Sequence, residues 1–549
     1  MRNLEKILML VCIAFFVVSC ADLDTAPSGG TLTEDQQKEI VEMLPERLSA
    51  KVNGMYSKMG EYNPIFSGQD RADDFGYPAI SLSNDLNSAD MIGPNVGYNW
   101  FNLCSDYTDR TKTYANPYMR WALFYAQIAL SNDVLASIPE DTENETLLYY
   151  KGQALAVRAF DYLNLVQYYQ FTYKGNEEKL AVPIITDKMD VSPSSGAPRA
   201  TVQAVYDQIL TDLNDAIELL DGFQRANKGA INQNVAYGLR ARANLLMHNW
   251  EDAAKDAEKA MTGFPYLSKE TVSRPSFYTA NASSWMWAIL MTPANIKDKY
   301  INWPAEISSL TGNGYTTGAD CYKLINNLLW SKIPDTDVRK GWWVDENLKS
   351  PLIDDLSWPG YPNEPIGTLV IPDVKGEFPP YTNVKFAAYT GEVGNGDNAS
   401  DFCLMRAEEM LFIQAEAMAM GGNLGGAKNL LQDYVRSHRD LSYTSKATSA
   451  EDFQNEVWFQ RRVELWGEGF GLSDVMRLKK NVVRFNNRIK TNFSDAYTFN
   501  IASTDGWLLL RIPQDETDTN VGIPDELNNN DGQLPKSGDG AGLTDGVTD

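Results

Sequence analysis

Apolar residues recur every three or four positions over long stretches of the chain, the period of an amphipathic helix and not the alternation of a half-buried strand. The two strongest runs, Tyr118 to Ser137 and Leu147 to Tyr169, are separated by Pro139 and a polar acidic stretch. That pattern predicts two antiparallel helices joined by a turn. After them Thr201 offers an N-cap, and Val202, Tyr206, Ile209, Leu213, Ile217 and Leu220 trace one helical face that must be core. Upstream, from Ala21 to about Leu44, the chain is polar and has no apolar helical stripe until Leu48, Val52, Met55 and Met59, so it reads as a leader.

Two later segments carry a finer pattern. Tyr237, Ala241, Trp250, Ala253, Ala257 and Ala260 fall where a tetratricopeptide repeat places its packing residues, and Leu411, Ala415, Met418, Leu424, Ala427, Leu431 and Tyr434 do the same. Small residues there let paired helices approach closely, and large ones fill the neighbour's groove. The expected fold class is mainly α, a tetratricopeptide-like helical repeat scaffold, with an irregular, loop-rich domain inserted into it. The insert is visible between Thr262 and Ser400, which hold about half of the 25 prolines and more than half of the 13 tryptophans. No long helix is expected there. Ser284 to Met291 reads as a short buried strand with Trp285 and Trp287 on one core-facing side, while Trp358 to Pro362 and Phe378 to Tyr381 read as loops or polyproline-like segments. Trp121, Trp250, Trp458 and Trp466 lie on helical runs and read as packing.

The first residues concern location. Arg2 and Lys6 form a positive region, and the apolar run from Ile7 to Val18 is too short to span ~30 Å of hydrocarbon. It reads as a signal peptide. Val17-Val18-Ser19-Cys20 resembles a bacterial lipobox, which makes Cys20 the lipidation site and acyl chains the membrane anchor. The expected organisation is a signal peptide over 1–19, a lipidated leader over 20–45, an N-terminal helical repeat part over 46–261, the aromatic and proline-rich insert over 262–400, a C-terminal helical part over 401–515, and an acidic tail over 516–549. The Asn528-Asn529-Asn530-Asp531-Gly532 stretch predicts a tail without packed structure.

Composition narrows the function. With 43% hydrophobic and 22% charged residues in 549, a packed core is expected. A formal charge of −25 repels phosphate backbones, so nucleic acid is not an expected partner. His248 and His438 are the only two histidines, and no GxSxG, HExxH, phosphate-loop or spaced Cys/His motif occurs. No catalytic residue, cofactor or metal is expected. Asp518-Thr519-Asn520 lacks the glycine and glutamate spacing of a calcium loop. Cys104, Cys321 and Cys403 are an odd number without CxxC spacing and read as buried thiols. Arg461, Arg462, Glu464, Glu468, Asp474 and Arg477 alternate in sign at helical spacing; ion pairs locking the last helices to the repeats explain them more simply than an acid–base site.

The remaining chemistry is recognition. Sugar binding needs flat apolar surfaces for pyranose faces and amides or carboxylates for hydroxyls. Tyr98-Asn99-Trp100-Phe101-Asn102 offers both and follows Pro94 and Gly97, so Tyr98, Trp100 and Asn102 are candidate ligand contacts on a loop, Trp100 being otherwise a buried loop anchor. Asp73 and Asp74 are candidate hydroxyl acceptors, and Tyr300, Trp303 and Tyr315 are candidate contacts among the prolines and glycines of the insert. A glycosidase carboxylate pair is left open, because that chemistry depends on spatial separation. A scaffold that binds proteins through its repeats is also left open.

Taken in order, several motifs resemble the SusD/RagB family of surface nutrient-binding lipoproteins from Bacteroidota outer membranes. They are the lipobox followed by Asp22 to Pro27, Gly54-Met55-Tyr56, Lys151 to Ala159, Leu404 to Glu408 with Ala415-Glu416-Ala417, Arg462 to Arg477, and Ile512 to Glu516. Gln153 stands where the family usually has Glu, Gly471 where it has Arg, and Asn520 to Pro524 replaces an Asn-Pro-rich ending. The resemblance implies four helical repeats with an inserted domain, docked as a lid over a SusC-like TonB-dependent outer-membrane transporter. It implies a non-catalytic protein that captures glycans, or alternatively peptides, and delivers them to that partner. In the family, the loop corresponding to Tyr98–Asn102 often supplies an aromatic platform.

Overall fold

The computed structural model describes residues 33–66, 71–189 and 196–544. The signal peptide, Cys20 and residues 21–32 of the leader lie outside the described residues. Within the stretch read as a polar leader there is nevertheless a helix, α1 (Glu34–Met43), opened by a capping box between Thr33 and Gln36. None of its residues is buried, so it has no apolar stripe to read, and its cap was the only sequence signal.

The scaffold follows the apolar period. Helices α2 (Ser49–Met59), α3 (Tyr77–Asn87), α4 (Ala115–Ala136), α5 (Glu145–Tyr169), α6 (Val202–Leu219), α7 (Gln233–Met247) and α8 (Trp250–Met261) precede the insert. Helices α9 (Ala407–Met420), α10 (Leu424–His438), α11 (Ala450–Glu464) and α12 (Gly471–Arg477) follow it. From α4 to α10 each helix packs on the next, including α8 on α9, so the repeat stack is continuous across the insertion. Thr201 caps α6 through the Ala204 N–H, as its position predicts. Gly152 lets α5 approach the end of α6: a Cβ there would lie 2.9 Å from Leu220 Cγ. Six residues further on, Arg158 grips Asp212 of α6 bidentately at 2.7 and 2.8 Å. Ala241, Ala253, Ala257 and Ala260 are buried, while Trp250 is half-buried and stacks on His248 at 4.5 Å.

The longest helix within 262–400 has six residues, Asn327–Lys332. The insert is tied down by two antiparallel pairs, β1 (Met91–Ile92) with β3 (Leu324–Ile325) and β2 (Trp285–Ile289) with β4 (Phe402–Arg406). Trp285 and Trp287 are buried. Beyond α12, β5 (Val482–Val483) pairs with β6 (Asn500–Ile501). The tail is docked onto the body at several points, contrary to the sequence expectation, although most of its residues after 529 are exposed. Ile523 is buried, the Asn529 amide donates to the carbonyls of Tyr169 and Leu510 at 2.7 and 2.9 Å, and the Asn500 N–H bonds the Asp539 carbonyl at 3.0 Å. Asparagine-rich sequence here serves side-chain amides that dock the chain onto backbone carbonyls.

Where insert and scaffold meet, charges are buried in alternation. Glu464 at the end of α11 accepts from Arg339 at 3.1 Å, Arg406 at 3.0 Å and Arg439 at 2.8 Å, all four groups being sealed from solvent. Glu468 binds Arg406 at 2.7 Å and Lys385 at 2.7 Å. Asp474 binds Arg461 and Arg477 at 2.7 and 2.6 Å, Arg477 reaches Glu416 of α9, and Arg462 reaches Asp90 beside β1. Burial works to raise the Glu464 pKa, but the guanidiniums of Arg439, Arg406 and Arg339 hold its carboxyl well below the usual range. The cluster is structural, in the sense its charge pattern predicts.

Two outcomes follow from these burials. Glu464→Gln removes the one carboxylate charge that three buried guanidiniums share and should lower unfolding free energy by about 3–5 kcal/mol in urea titration. Asp161 on α5 is fully buried with neither carboxylate oxygen partnered, and burial pushes its pKa well up. Its folded pKa lies above the unfolded ~3.9, so its contribution is intact below about pH 4 and is lost as pH rises towards the folded value, by up to about 1.4 kcal/mol per pH unit. Asp161→Asn should therefore be more stable than wild type at pH 8, with the difference closing near pH 4 in denaturation curves.

Candidate functional site

The loop after β1 is built to hold rings outward. The Asn99 amide donates to the Pro94 carbonyl at 2.8 Å, and its oxygen accepts the Phe101 N–H at 3.1 Å. Asn102 donates to the Val96 carbonyl at 2.9 Å and accepts the Tyr497 hydroxyl at 3.0 Å. Both amides are thus engaged within the protein, and Asn102 positions the loop. Phe101 is the buried anchor, edge-on to Phe75 at 6.0 Å. Tyr98 and Trp100 on either side of Asn99 are left 73% and 41% exposed.

Trp100 is backed by other groups. The Arg71 guanidinium lies 5.4 Å from its ring centre and 5.5 Å from that of Phe66, which in turn meets Tyr118 of α4 at 5.6 Å. From the insert, the Tyr315 hydroxyl approaches the Trp100 indole, a contact that works to lower the Tyr315 pKa. Burial first, then the charges of Glu306 and Asp298, push the Tyr315 pKa up to about 12, so the hydroxyl stays protonated and neutral. Tyr300 is 55% exposed on a loop folded around Asp298, whose carboxylate accepts the N–H groups of Tyr300 and Ile301 at 2.6 and 3.2 Å.

Three candidates occupy other places than their loops predict. Asp73 is buried, its side chain fully covered, and its carboxylate holds Arg71 at 2.9 Å with Asn116 donating at 3.3 Å. Asp74 is buried and accepts the N–H groups of Phe66 and Ile65 at 3.2 and 3.4 Å. Burial pushes its pKa up to about 6. Both carboxylates shape the platform from below instead of facing solvent as hydroxyl acceptors. Trp303 is 6% exposed, wedged edge-on between Phe402 at 4.8 Å and Phe386 at 5.8 Å, because Asn302 caps a helical turn that draws it inward. It lines a cavity of about 750 Å³ whose lining does not include Tyr300. Arg71, Phe66 and Tyr118 were not singled out in the sequence, although Arg71 lies two residues before Asp73 in the same loop. Asp518 and Thr519 end a short helix, and the Asn520 amide is engaged by the Ala197 carbonyl and Glu516. The arrangement presents rings, a guanidinium and a neutral hydroxyl, which suit stacking and hydrogen bonding.

The comparisons with known proteins agree with this architecture. A family model described as starch-binding associating with outer membrane matches residues 72–245, and the SusD family model matches residues 373–532. The chain is a SusD/RagB family protein. A SusD-like carbohydrate binding protein from Bacteroides vulgatus superposes with a TM-score of 0.70 at 23% identity, over 87% of this chain and 97% of that one. A SusD superfamily protein from Bacteroides thetaiotaomicron gives 0.64 at 20% identity over 88% and 99%. Surface glycan-binding protein A from the same species, in complex with laminarihexaose, gives 0.61 at 16% over 87% and 98%. No curated protein sequence matches the chain. SusD family proteins are associated with the outer membrane at the cell surface, and no described helix is long and apolar enough to cross a membrane.

Two departures from the SusD/RagB pattern have local explanations. Gln153, in place of the usual Glu, accepts the buried Tyr56 hydroxyl at 2.9 Å and so joins α5 to α2 without a charge. Gly471 donates its N–H to Asp85 at 2.9 Å, and a Cβ there would lie 2.7 Å from Ser88 Oγ.

Arg71→Ala leaves the covered Asp73 carboxylate without its cation. Burial already raises the Asp73 pKa and Arg71 opposes that rise, so removing Arg71 raises it further. The variant should match wild-type stability closely at pH 4, where the carboxyl can hold its proton, and fall behind by about 3 kcal/mol at pH 8 in chemical denaturation.

Proposed function

We propose that the protein is a non-catalytic cell-surface lipoprotein, anchored through Cys20, that captures oligosaccharide or polysaccharide chains and delivers them to a partner SusC-like TonB-dependent transporter. The observation that carries this reading is the pair of exposed rings, Tyr98 and Trp100, held out by a loop whose own amides are internally bonded, with the Arg71 guanidinium against Trp100. Rings fixed before binding lose little conformational freedom when a sugar stacks on them. Tyr300 adds a further exposed ring from the insert. The family models and the laminarihexaose complex of the structural neighbour support a saccharide as ligand. The site's two candidate carboxylates are committed to Arg71 and to backbone N–H groups, which supports binding without hydrolysis.

Isothermal titration with laminarihexaose, maltohexaose and a panel of other hexasaccharides and peptides tests the reading. A saccharide should bind with a dissociation constant at or below the millimolar range, equivalent to about −4 kcal/mol or stronger. Trp100→Ala should weaken it at least tenfold without releasing reducing ends in either protein. Peptide binding without saccharide binding, or saccharide turnover by the purified protein, would overturn the proposal.

A further inference from the structure

The cavity that Trp303 lines has walls from α2, the 223–230 loop, β2 and the 295–304 loop. Its volume of about 750 Å³ falls within the ~300–1,000 Å³ of pockets that enclose small ligands. Trp100, Tyr98 and Arg71 are not among its lining residues, so it is separate from the platform. The two are nonetheless neighbours along the chain. Glu61 and Tyr62 line the cavity just before Phe66 reaches the platform, and Asp298, Ile301 and Asn302 line it around Tyr300.

Its lining combines buried and half-buried rings with exposed amides. Phe75, Trp287 and Phe402 are buried rings of the lining, and Tyr62, Tyr150 and Phe223 are half-buried. The exposed amides of Asn53, Gln224 and Asn227 lie in the same lining. Among the lining residues only Glu61, Lys297 and Asp298 are charged, and Asp298 is engaged by its own loop. Such a surface matches a molecule with apolar faces, hydroxyl edges and no net charge. A purely apolar ligand would take amides from water without pairing them, and an anionic one would find a single lysine beside two carboxylates.

We propose that this cavity is a second saccharide pocket, which takes a short, uncharged oligosaccharide or the uncharged end or branch of a longer glycan independently of the platform. The proposal rests on the reading of the protein as a glycan binder. Asn53→Trp and Ala226→Trp place bulk at two exposed lining positions on different walls, and unchanged melting temperatures establish that both variants are folded. Titration uses a panel of neutral trisaccharides (maltotriose, laminaritriose, cellotriose and xylotriose), trigalacturonate, the corresponding neutral hexasaccharides, and the apolar dye ANS. Each cavity variant should weaken neutral trisaccharide binding at least tenfold, whereas Trp100→Ala should change it less than twofold while weakening hexasaccharide binding. Trisaccharide binding that depends on Trp100 and ignores both cavity variants would overturn the pocket and leave the platform reading intact. So would a wild type that binds hexasaccharides but no trisaccharide, that binds trigalacturonate as well as its neutral counterparts, or that takes only ANS into the cavity. Loss of trisaccharide binding in the cavity variants alone, with hexasaccharide binding indifferent to Trp100, would sustain the pocket and overturn the platform. Absence of all saccharide binding would overturn both.

Discussion

The buried ion-pair network around Glu464 is the constraint on which the rest of the structure depends. Three arginines meet this one carboxylate: Arg339 comes from the insert, Arg406 from the end of β4 and Arg439 from the end of α10. Lys385, also from the insert, reaches Glu468 and the carbonyls of Glu464 and Trp466. Charges removed from water are tolerated only when their partners arrive in the right geometry, so a partial version of this cluster is worse than none. The network therefore acts as a register between parts of the chain that are far apart in sequence. A shift of the insert over the scaffold would leave several charges unpaired at once.

That register reaches the ligand platform. Phe66, Arg71, Tyr98 and Trp100 come from segments before the insert, whereas Tyr300 and Tyr315 come from within it. The approach of the Tyr315 hydroxyl to the Trp100 indole spans the two, so the position of the insert bears on how the ring is backed. Recognition by stacking benefits from this rigidity, because a ring already held in place gives up less entropy on binding. The acidic residues beneath the platform contribute by fixing Arg71 and the 65–66 backbone.

Legibility from sequence followed the range of the interactions. Helices α4 to α10 were readable because apolar spacing and caps are local, and the small residues of the repeats mark close helix contacts wherever they occur. Asp73 and Asp74 were misplaced because a loop carboxylate looks alike whether it faces solvent or a buried guanidinium; Arg71 two residues away was the available hint. Trp303 was misplaced because proline and glycine neighbours indicate a loop, while its inward direction comes from Phe386 and Phe402, about a hundred residues later. The asparagine-rich tail looks loose in sequence for the same reason, since its carbonyl partners lie on Tyr169 and Leu510.

By itself the sequence determined the helical repeat scaffold, the irregular insert, the structural nature of the alternating charges after Arg461, and the exposed loop that carries Tyr98 and Trp100. All of these rest on periodicity, composition or turn chemistry within a few residues. Only the tertiary structure decided which rings share a surface, which carboxylates are spent on internal partners, and that a cavity separate from the platform is formed. Those outcomes depend on side chains brought together from segments up to several hundred residues apart, and pairing at that distance leaves no period in the chain to read.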